Sequence, residues 1–231
     1  MRAVPPARGG EGEPMDNPGE ILYEDDGLLA VSKVSGDLVI PGRGTDGPSL
    51  VERLSARFGG KLFVVHRLDR GASGLVLFAR DRESHRILSG LFEGRRVRKT
   101  YWAVVEGEVE QDGLVNRPIR AFGSGRMGVD GRGKPSETRF RVLERFPRAS
   151  WLEVNPLTGR RHQIRVHLFA LGHPILGDTR YGTGFPVGGA PRLMLHALRL
   201  AFPWKGDDGF ALSCPPSGDF MDLLERLRDP L

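Results

Sequence analysis

The chain has 231 residues, of which 39% are hydrophobic and one, Cys214, is a cysteine. That is enough for one substantial core, while an internal disulfide is excluded and no apolar run approaches the ~18 residues of a membrane span. The formal charge of +5 is uneven: residues 61 to 192 carry 24 basic against 13 acidic residues, which suggests a polyanionic partner, nucleic acid above all, met by one face.

Residues 1–19 contain Pro5-Pro6 and Gly9-Gly10 but no apolar segment of the kind a signal peptide needs. They read as a disordered leader, so that 20–231 form one domain with the cytoplasm as its expected address. Ile21-Leu22-Tyr23 and Leu28-Leu29-Ala30-Val31 flank Asp25-Asp26-Gly27, a hairpin signal in which Gly27 would supply a positive φ. After a loop through Gly36, Pro41 and Gly44, Leu50, Val51 and Leu54 recur at helical spacing, with Ser49 placed to cap a helix over 49–58.

The stretch from His66 to Ala79 carries the first chemistry. Apolar runs at Leu62–Val65 and Leu75–Ala79 predict two strands, with Asp69 in the glycine-bearing connection between them. Its neighbours Arg67 and Arg70 are expected to hold the carboxylate ionised. Asp81 is placed to cap a helix over 82–93 with Ile87, Leu88, Leu91 and Phe92 on one face. The helix runs into the basic cluster Arg95, Arg96, Arg98 and Lys99, beside Tyr101 and Trp102 on a strand over 100–105. Clustered guanidinium groups beside an aromatic suit phosphate contacts and base stacking.

Residues 112 to 138 are glycine-rich. Gly123 to Gly128 imitates a dinucleotide fingerprint and Gly128 to Lys134 a phosphate loop. Neither has the strand before it and the helix after it that the chemistry requires. The segment reads instead as a hairpin loop bearing Arg120, Arg126, Arg132 and Lys134. Strands over 138–143 and 150–154 lead to Thr158, placed to cap a helix that ends at Gly172 and buries Ile164, Leu168 and Leu171. Arg165 lies one residue off that stripe, at the rim of the core, where its guanidinium can grip Asp69. His162, His167 and His173 invite a metal reading, but the i, i+5 spacing does not stack on one helical face and no acidic ligand lies nearby in sequence, so a zinc site is not expected there. A strand over 193–202 and a helix capped by Ser217, with Phe220, Leu223, Leu224 and Leu227 on its packing face, close the chain.

Three separated motifs in one order, His66-Arg67-Leu68-Asp69 with Ser73-Gly74-Leu75, Arg98-Lys99-Thr100-Tyr101-Trp102-Ala103, and Gly159 to Leu168 with Gly172-His173-Pro174-Ile175 and Gly177-Asp178, resemble the RluA family of RNA pseudouridine synthases. The resemblance implies an α+β fold with a largely antiparallel mixed β-sheet, flanking helices and a basic RNA-binding cleft. It implies isomerisation of uridine to pseudouridine in structured RNA, ribosomal or transfer RNA, without cofactor or metal. Asp69 then matches the catalytic aspartate, Tyr101 the tyrosine packed against the target base, and Arg165 the arginine paired with the aspartate. Arg67 matches the arginine that helps displace the base, and Arg70, Arg95, Arg96, Arg98, Lys99, Arg161 and His162 are placed with the substrate-binding groups. The carboxylate can act as nucleophile or by stabilising positive charge at C1′. The chain departs from the family in having Val34 after Lys33 where proline is usual, and Ala72 where threonine is common. A monomer is the default expectation, and a non-catalytic RNA-binding module on the same fold is the alternative, in which Asp69 would be dispensable.

Overall fold

The computed structural model describes residues 19–42, 47–123, 125–182 and 189–229; the leader expected at the N-terminus lies outside them but for Gly19. The chain builds β1 (Ile21–Glu24), β2 (Leu28–Lys33), α1 (Leu50–Arg57), β3 (Phe63–Val64), β4 (Ser73–Ala79), α2 (Arg82–Glu93), β5 (Arg98–Glu106), β6 (Gly113–Asn116), β7 (Ile119–Ala121), β8 (Met127–Val129), β9 (Glu137–Phe146), β10 (Ala149–Pro156), α3 (Gln163–Ala170), β11 (Leu195–Ala201), β12 (Ala211–Ser213) and α4 (Gly218–Arg228). Ten strands form one sheet in the order β1-β2-β4-β11-β5-β10-β9-β6, with β3 on β4 and β12 on β11. Its pairings are antiparallel except β4 with β11, so the expected α+β class with a mixed, largely antiparallel sheet is what the chain adopts. No helix among the described residues is long and apolar enough to cross a membrane.

Both faces of the β2–β4 region are covered, which explains why Leu28–Val31 and Leu75–Ala79 are continuous apolar runs rather than alternating. Leu75, Leu77 and Ala79 join Leu88 and Leu91 of α2 on one face, while Val76 and Phe78 join Leu50 and Leu54 of α1 in the larger core. Phe220, Leu223, Leu224 and Leu227 of α4 pack into that larger core as their spacing predicts. Asp81 caps α2 by accepting from Ser84 N–H at 2.8 Å, and Ser49 and Glu52 form the reciprocal capping box of α1.

Several expectations are corrected. Gly27 does not take a positive φ; the Asp25 carboxylate closes the hairpin by accepting from Gly27 N–H and Leu28 N–H at 2.8 and 2.7 Å. The strand expected over 62–65 shrinks to the two residues of β3, because its partner edge on β4 is met only at Phe78 and Ala79. The glycine-rich segment is more than a loop: β6 extends the sheet, and β7 and β8 form a separate two-stranded arm.

Thr158 does not cap α3. The helix begins at Gln163 behind His162, whose φ of 55° is left-handed, and the Thr158 hydroxyl instead bonds Gln163 Oε1 at 2.7 Å. Leu171 falls at the helix end and is 41% exposed, so it is not part of the buried stripe. Ser217 occupies the start of α4, but its hydroxyl bonds Asp219 rather than a helix N–H.

Candidate active site

The strand order β4-β11-β5 is what assembles the site. Ser73, at the start of β4, lies beside His196 of β11, which lies opposite Trp102 of β5, with Ala197 opposite Tyr101. The connection just before Ser73 carries Asp69, so Asp69 and Tyr101 line one cavity although 32 positions separate their numbers. Gly74 permits this closeness: its φ is 111°, and a Cβ there would collide with the carbonyl oxygen of Ala197. The connection is pinned at both ends. His66 Nε2 accepts from Leu77 N–H at 3.0 Å, and burial holds this imidazole neutral, with its pKa down at about 3. Lys33, 1% exposed, donates from Nζ to the carbonyls of Val34 and Arg70 at 2.8 and 3.1 Å, and burial lowers its pKa to about 8.

α3 delivers the partner of Asp69. Arg165 NH1 donates to Asp69 Oδ2 at 2.8 Å, as its position at the rim of the core suggests. The bidentate grip, however, goes elsewhere: Arg165 Nε and NH2 donate to the two oxygens of Asp178 at 2.7 and 2.8 Å. Burial opposes the guanidinium's charge, yet the two carboxylates hold its pKa above the ordinary arginine value. Asp178 is fully buried at its side chain; burial raises its pKa, but the bonds from Arg165 outweigh that and hold it below the usual carboxylate range. Backbone N–H groups of Arg180 and Tyr181 also donate to Asp178 Oδ1. Gly177, with a φ of 72°, lets this loop pass against the backbone of Arg192 where a Cβ would not fit.

Arg67 and Arg70 do not take the role expected of them. Neither forms an ion pair with Asp69 among the described residues; Arg70 Nε donates to Gly36 O at 2.9 Å, and Arg67 is exposed. Arg165, 96 positions away in sequence, is the ionic partner.

Two cavities open on either side of the Asp69–Arg165 bridge. The first, about 630 Å³, has Tyr101, Leu195, Ile164 and Ala72 as its less polar surface, with Asp69 and Arg165 on its wall. Arg67, Arg95, Lys99, Arg161 and His162 also line it, whereas Arg70 lines only the second cavity, of about 750 Å³. Arg96 and Arg98 line neither and stand exposed at the turn into β5. Burial, and then the charge on Asp69, raise the Tyr101 pKa above that of a free phenol, so the ring stays protonated at neutral pH. Lys99 donates to Thr158 O at 3.2 Å, and burial followed by the nearby Arg95 lowers its pKa.

The other histidines of this region are separately engaged. His167 sits between Thr138 Oγ1 and Arg117 O, and His173 against Glu106 O. Three contributors receive no role from the motif reading: Asp178, which it quotes only as the end of Gly177-Asp178, Tyr181 and Lys33. The first two look like ordinary turn residues in the sequence. The signal available was an acidic residue inside an otherwise basic region, at Asp178, and an isolated lysine closing an apolar strand, at Lys33.

A two-sided pocket in a basic setting, floored by an aromatic and walled by a carboxylate held by a buried arginine, is equipped for chemistry on a base taken out of its stack. Residues 27–170 match the family described as RNA pseudouridylate synthase. The chain is 42% identical over 220 residues to ribosomal large subunit pseudouridine synthase C of Vibrio vulnificus, covering 90% of this chain and 69% of that protein. It is 40% identical over 199 residues to the dual-specificity RNA pseudouridine synthase RluA of the same organism, covering 82% and 79% respectively. The solved structure of human RNA pseudouridylate synthase domain containing 1 superposes with a TM-score of 0.74 at 29% identity, covering 95% of this chain and 98% of that one. The fold and the sequence together define an enzyme that isomerises uridine in RNA. Within that class, the chain belongs to the RluA family of RNA pseudouridine synthases.

Proposed function

We propose that Asp69 is the catalytic carboxylate and that ribosomal RNA is the substrate. The observation that carries the first part is the Arg165 bridge, which fastens Asp69 Oδ2 to buried Asp178 at the wall of a base-sized cavity. Oδ1 remains turned towards His162 at 3.7 Å, too long for a hydrogen bond, and is the oxygen offered to C1′ of the target nucleoside. Uracil enters the first cavity against Tyr101. The electron pair of the N1–C1′ bond passes to the base, Asp69 meets the electron-poor C1′, and the base turns. C5 then bonds C1′, C5 loses its proton and N1 takes one up. Arg165 NH1 on Oδ2 fixes the carboxylate and leaves Oδ1 for C1′, so the bridge is part of the mechanism. Tyr101, kept as a neutral phenol, serves by packing and as a donor rather than as a base.

Arg67 fills the space the base leaves in its stack. Arg70, Arg95, Lys99 and Arg161 meet the phosphodiester chain on either side of the flipped nucleotide, with Arg96 and Arg98 contacting RNA further along. Arg180, which lines the second cavity and has no ion pair among the described residues, extends that track. Replacing Arg161 and Arg180 together by alanine is expected to weaken RNA binding and to flatten the slope of log affinity against log salt by about 2. An unchanged slope in a filter-binding titration removes both from the track.

The choice of ribosomal RNA follows the relatives named for the large ribosomal subunit, and we place the enzyme in the cytoplasm, acting as a monomer without metal or cofactor. Unmodified ribosomal and transfer RNA, treated separately and mapped for pseudouridine by carbodiimide adducts that stop reverse transcription, test the assignment. Stops confined to ribosomal RNA are expected; stops confined to transfer RNA contradict it.

A further inference from the structure

Three separate features converge on His162. Its backbone is left-handed, with φ 55°, a conformation that non-glycine residues enter at a cost and keep only where the surroundings enforce it. This residue interrupts the path from Thr158 into α3, and its imidazole lines both cavities. Nδ1 lies 2.8 Å from the phenolic oxygen of Tyr181, a residue only 1% exposed.

The direction of that bond is set by the third feature. Met127 N–H, at the start of β8, donates to the same phenolic oxygen at 3.1 Å. Were Nδ1 also a donor, the phenol would face two donors, and its own proton would need another acceptor. None is within reach of Tyr181 among the described residues. The Tyr181 hydroxyl therefore donates to Nδ1, and the proton of the neutral imidazole sits on Nε2. Nε2 stands 3.7 Å from Asp69 Oδ1, beside the reacting carboxylate and, among the described residues, without a hydrogen-bond acceptor of its own. The ring remains neutral: burial outweighs the attraction of Asp69, Arg165, Arg161 and Arg180 add to it, and the pKa falls to about 4.

We propose that His162 is a further catalytic residue, donating a hydrogen bond from Nε2–H to the O2 carbonyl of the target uracil, with Tyr181 as the positioning residue that keeps the proton on Nε2. As the N1–C1′ bond breaks, its electron pair spreads over N1 and O2, and a fixed donor at O2 holds that charge. No proton leaves the imidazole. The pair returns to bonding when C5 joins C1′, and the hydrogen bond weakens again, so the donor acts on the departing base and not on the substrate as bound. The arm formed by β7 and β8 takes part through Met127, which ties its position to the tautomer of His162. The inference rests on the assignment of Asp69 as the catalytic carboxylate.

The test compares RNA carrying uridine with RNA carrying 5-fluorouridine, whose electron-withdrawing fluorine already stabilises the departing base. Consumption of the target nucleoside is read by nuclease digestion and mass. His162→Gln is expected to lower kcat on uridine by about 10²-fold with little change in KM. 5-Fluorouridine has no C5 proton to expel and is consumed without normal turnover, so it is followed as a single-turnover rate of consumption, whose loss shrinks to about tenfold. Tyr181→Phe keeps the packing and removes the tautomer lock; it is expected to lower kcat about tenfold with the same sensitivity to fluorine. An unchanged kcat in His162→Gln, or equal losses on both substrates in the two variants, overturns the inference and leaves Asp69 untouched. Asp69→Asn, run alongside, is expected to be inactive on both substrates; turnover there overturns the underlying assignment instead.

Discussion

Asp69→Asn is expected to reduce turnover of uridine in RNA by about 10⁴-fold while RNA affinity stays within about twofold, the pattern of a group used in the transition state rather than in binding. The substitution keeps the side chain's volume and an oxygen for Arg165 NH1, so the wall between the two cavities stays in place. What disappears is the negative charge that meets C1′. Single-turnover rates with saturating enzyme and a separate binding titration read the two quantities independently. Weakened binding with turnover preserved at saturation would assign Asp69 to RNA recognition, as the binding-module alternative requires.

Asp178→Asn is expected to damage both the fold and the chemistry. The variant leaves Arg165, 9% exposed, with one carboxylate where it had two, and breaking a buried pair from one side costs about 3 kcal/mol or more. For a chain of this length that corresponds to a fall in Tm of about 6–12 °C. Released from Asp178, the guanidinium no longer holds Asp69 in one place, so kcat falls as well. The pH dependence follows from the sign of the shift. Asp178 titrates lower in the folded chain than when unfolded, so its stabilisation is present above the unfolded carboxylate pKa of about 4 and fades as pH falls towards the folded value. The gap in Tm between wild type and variant should therefore close on acidification below about pH 4. A gap that persists unchanged there would show that the ion pair is not its source.

The helices and the long strands are legible because each rests on a local pattern, whereas the grouping of Asp69, Tyr101 and Arg165 is implied by the resemblance of three separated motifs to one family. Asp81 before an apolar face, Ser49 three residues before Glu52, and a continuous apolar run in β4 need no tertiary information. The misreadings occur where a distant group overrides the local rule. Thr158 looks like a helix cap until Gln163 and Glu137 claim its hydroxyl, and Gly27 looks like a positive-φ turn residue until the Asp25 side chain closes the turn. Packing explains that glycine instead, since a Cβ would meet the Ser84 hydroxyl. Arg67 and Arg70 are the nearest cations to Asp69 in sequence, but a tight connection points successive side chains apart, and a helix from the other half of the chain supplies the partner. The roles of Asp178 and Tyr181 are missed for the same reason: their partners, Arg165, His162 and Met127, are joined to them only by the fold.

Release of tritium from C5 of labelled uridine in ribosomal RNA, with wild type and Asp69→Asn compared side by side, tests the central claim most directly, because only bond formation at C5 expels that hydrogen. Release by the wild type and none by the variant is the predicted result. Equal release by both would remove Asp69 from the chemistry, and no release by the wild type from RNA that it binds would contradict the substrate assigned to this site.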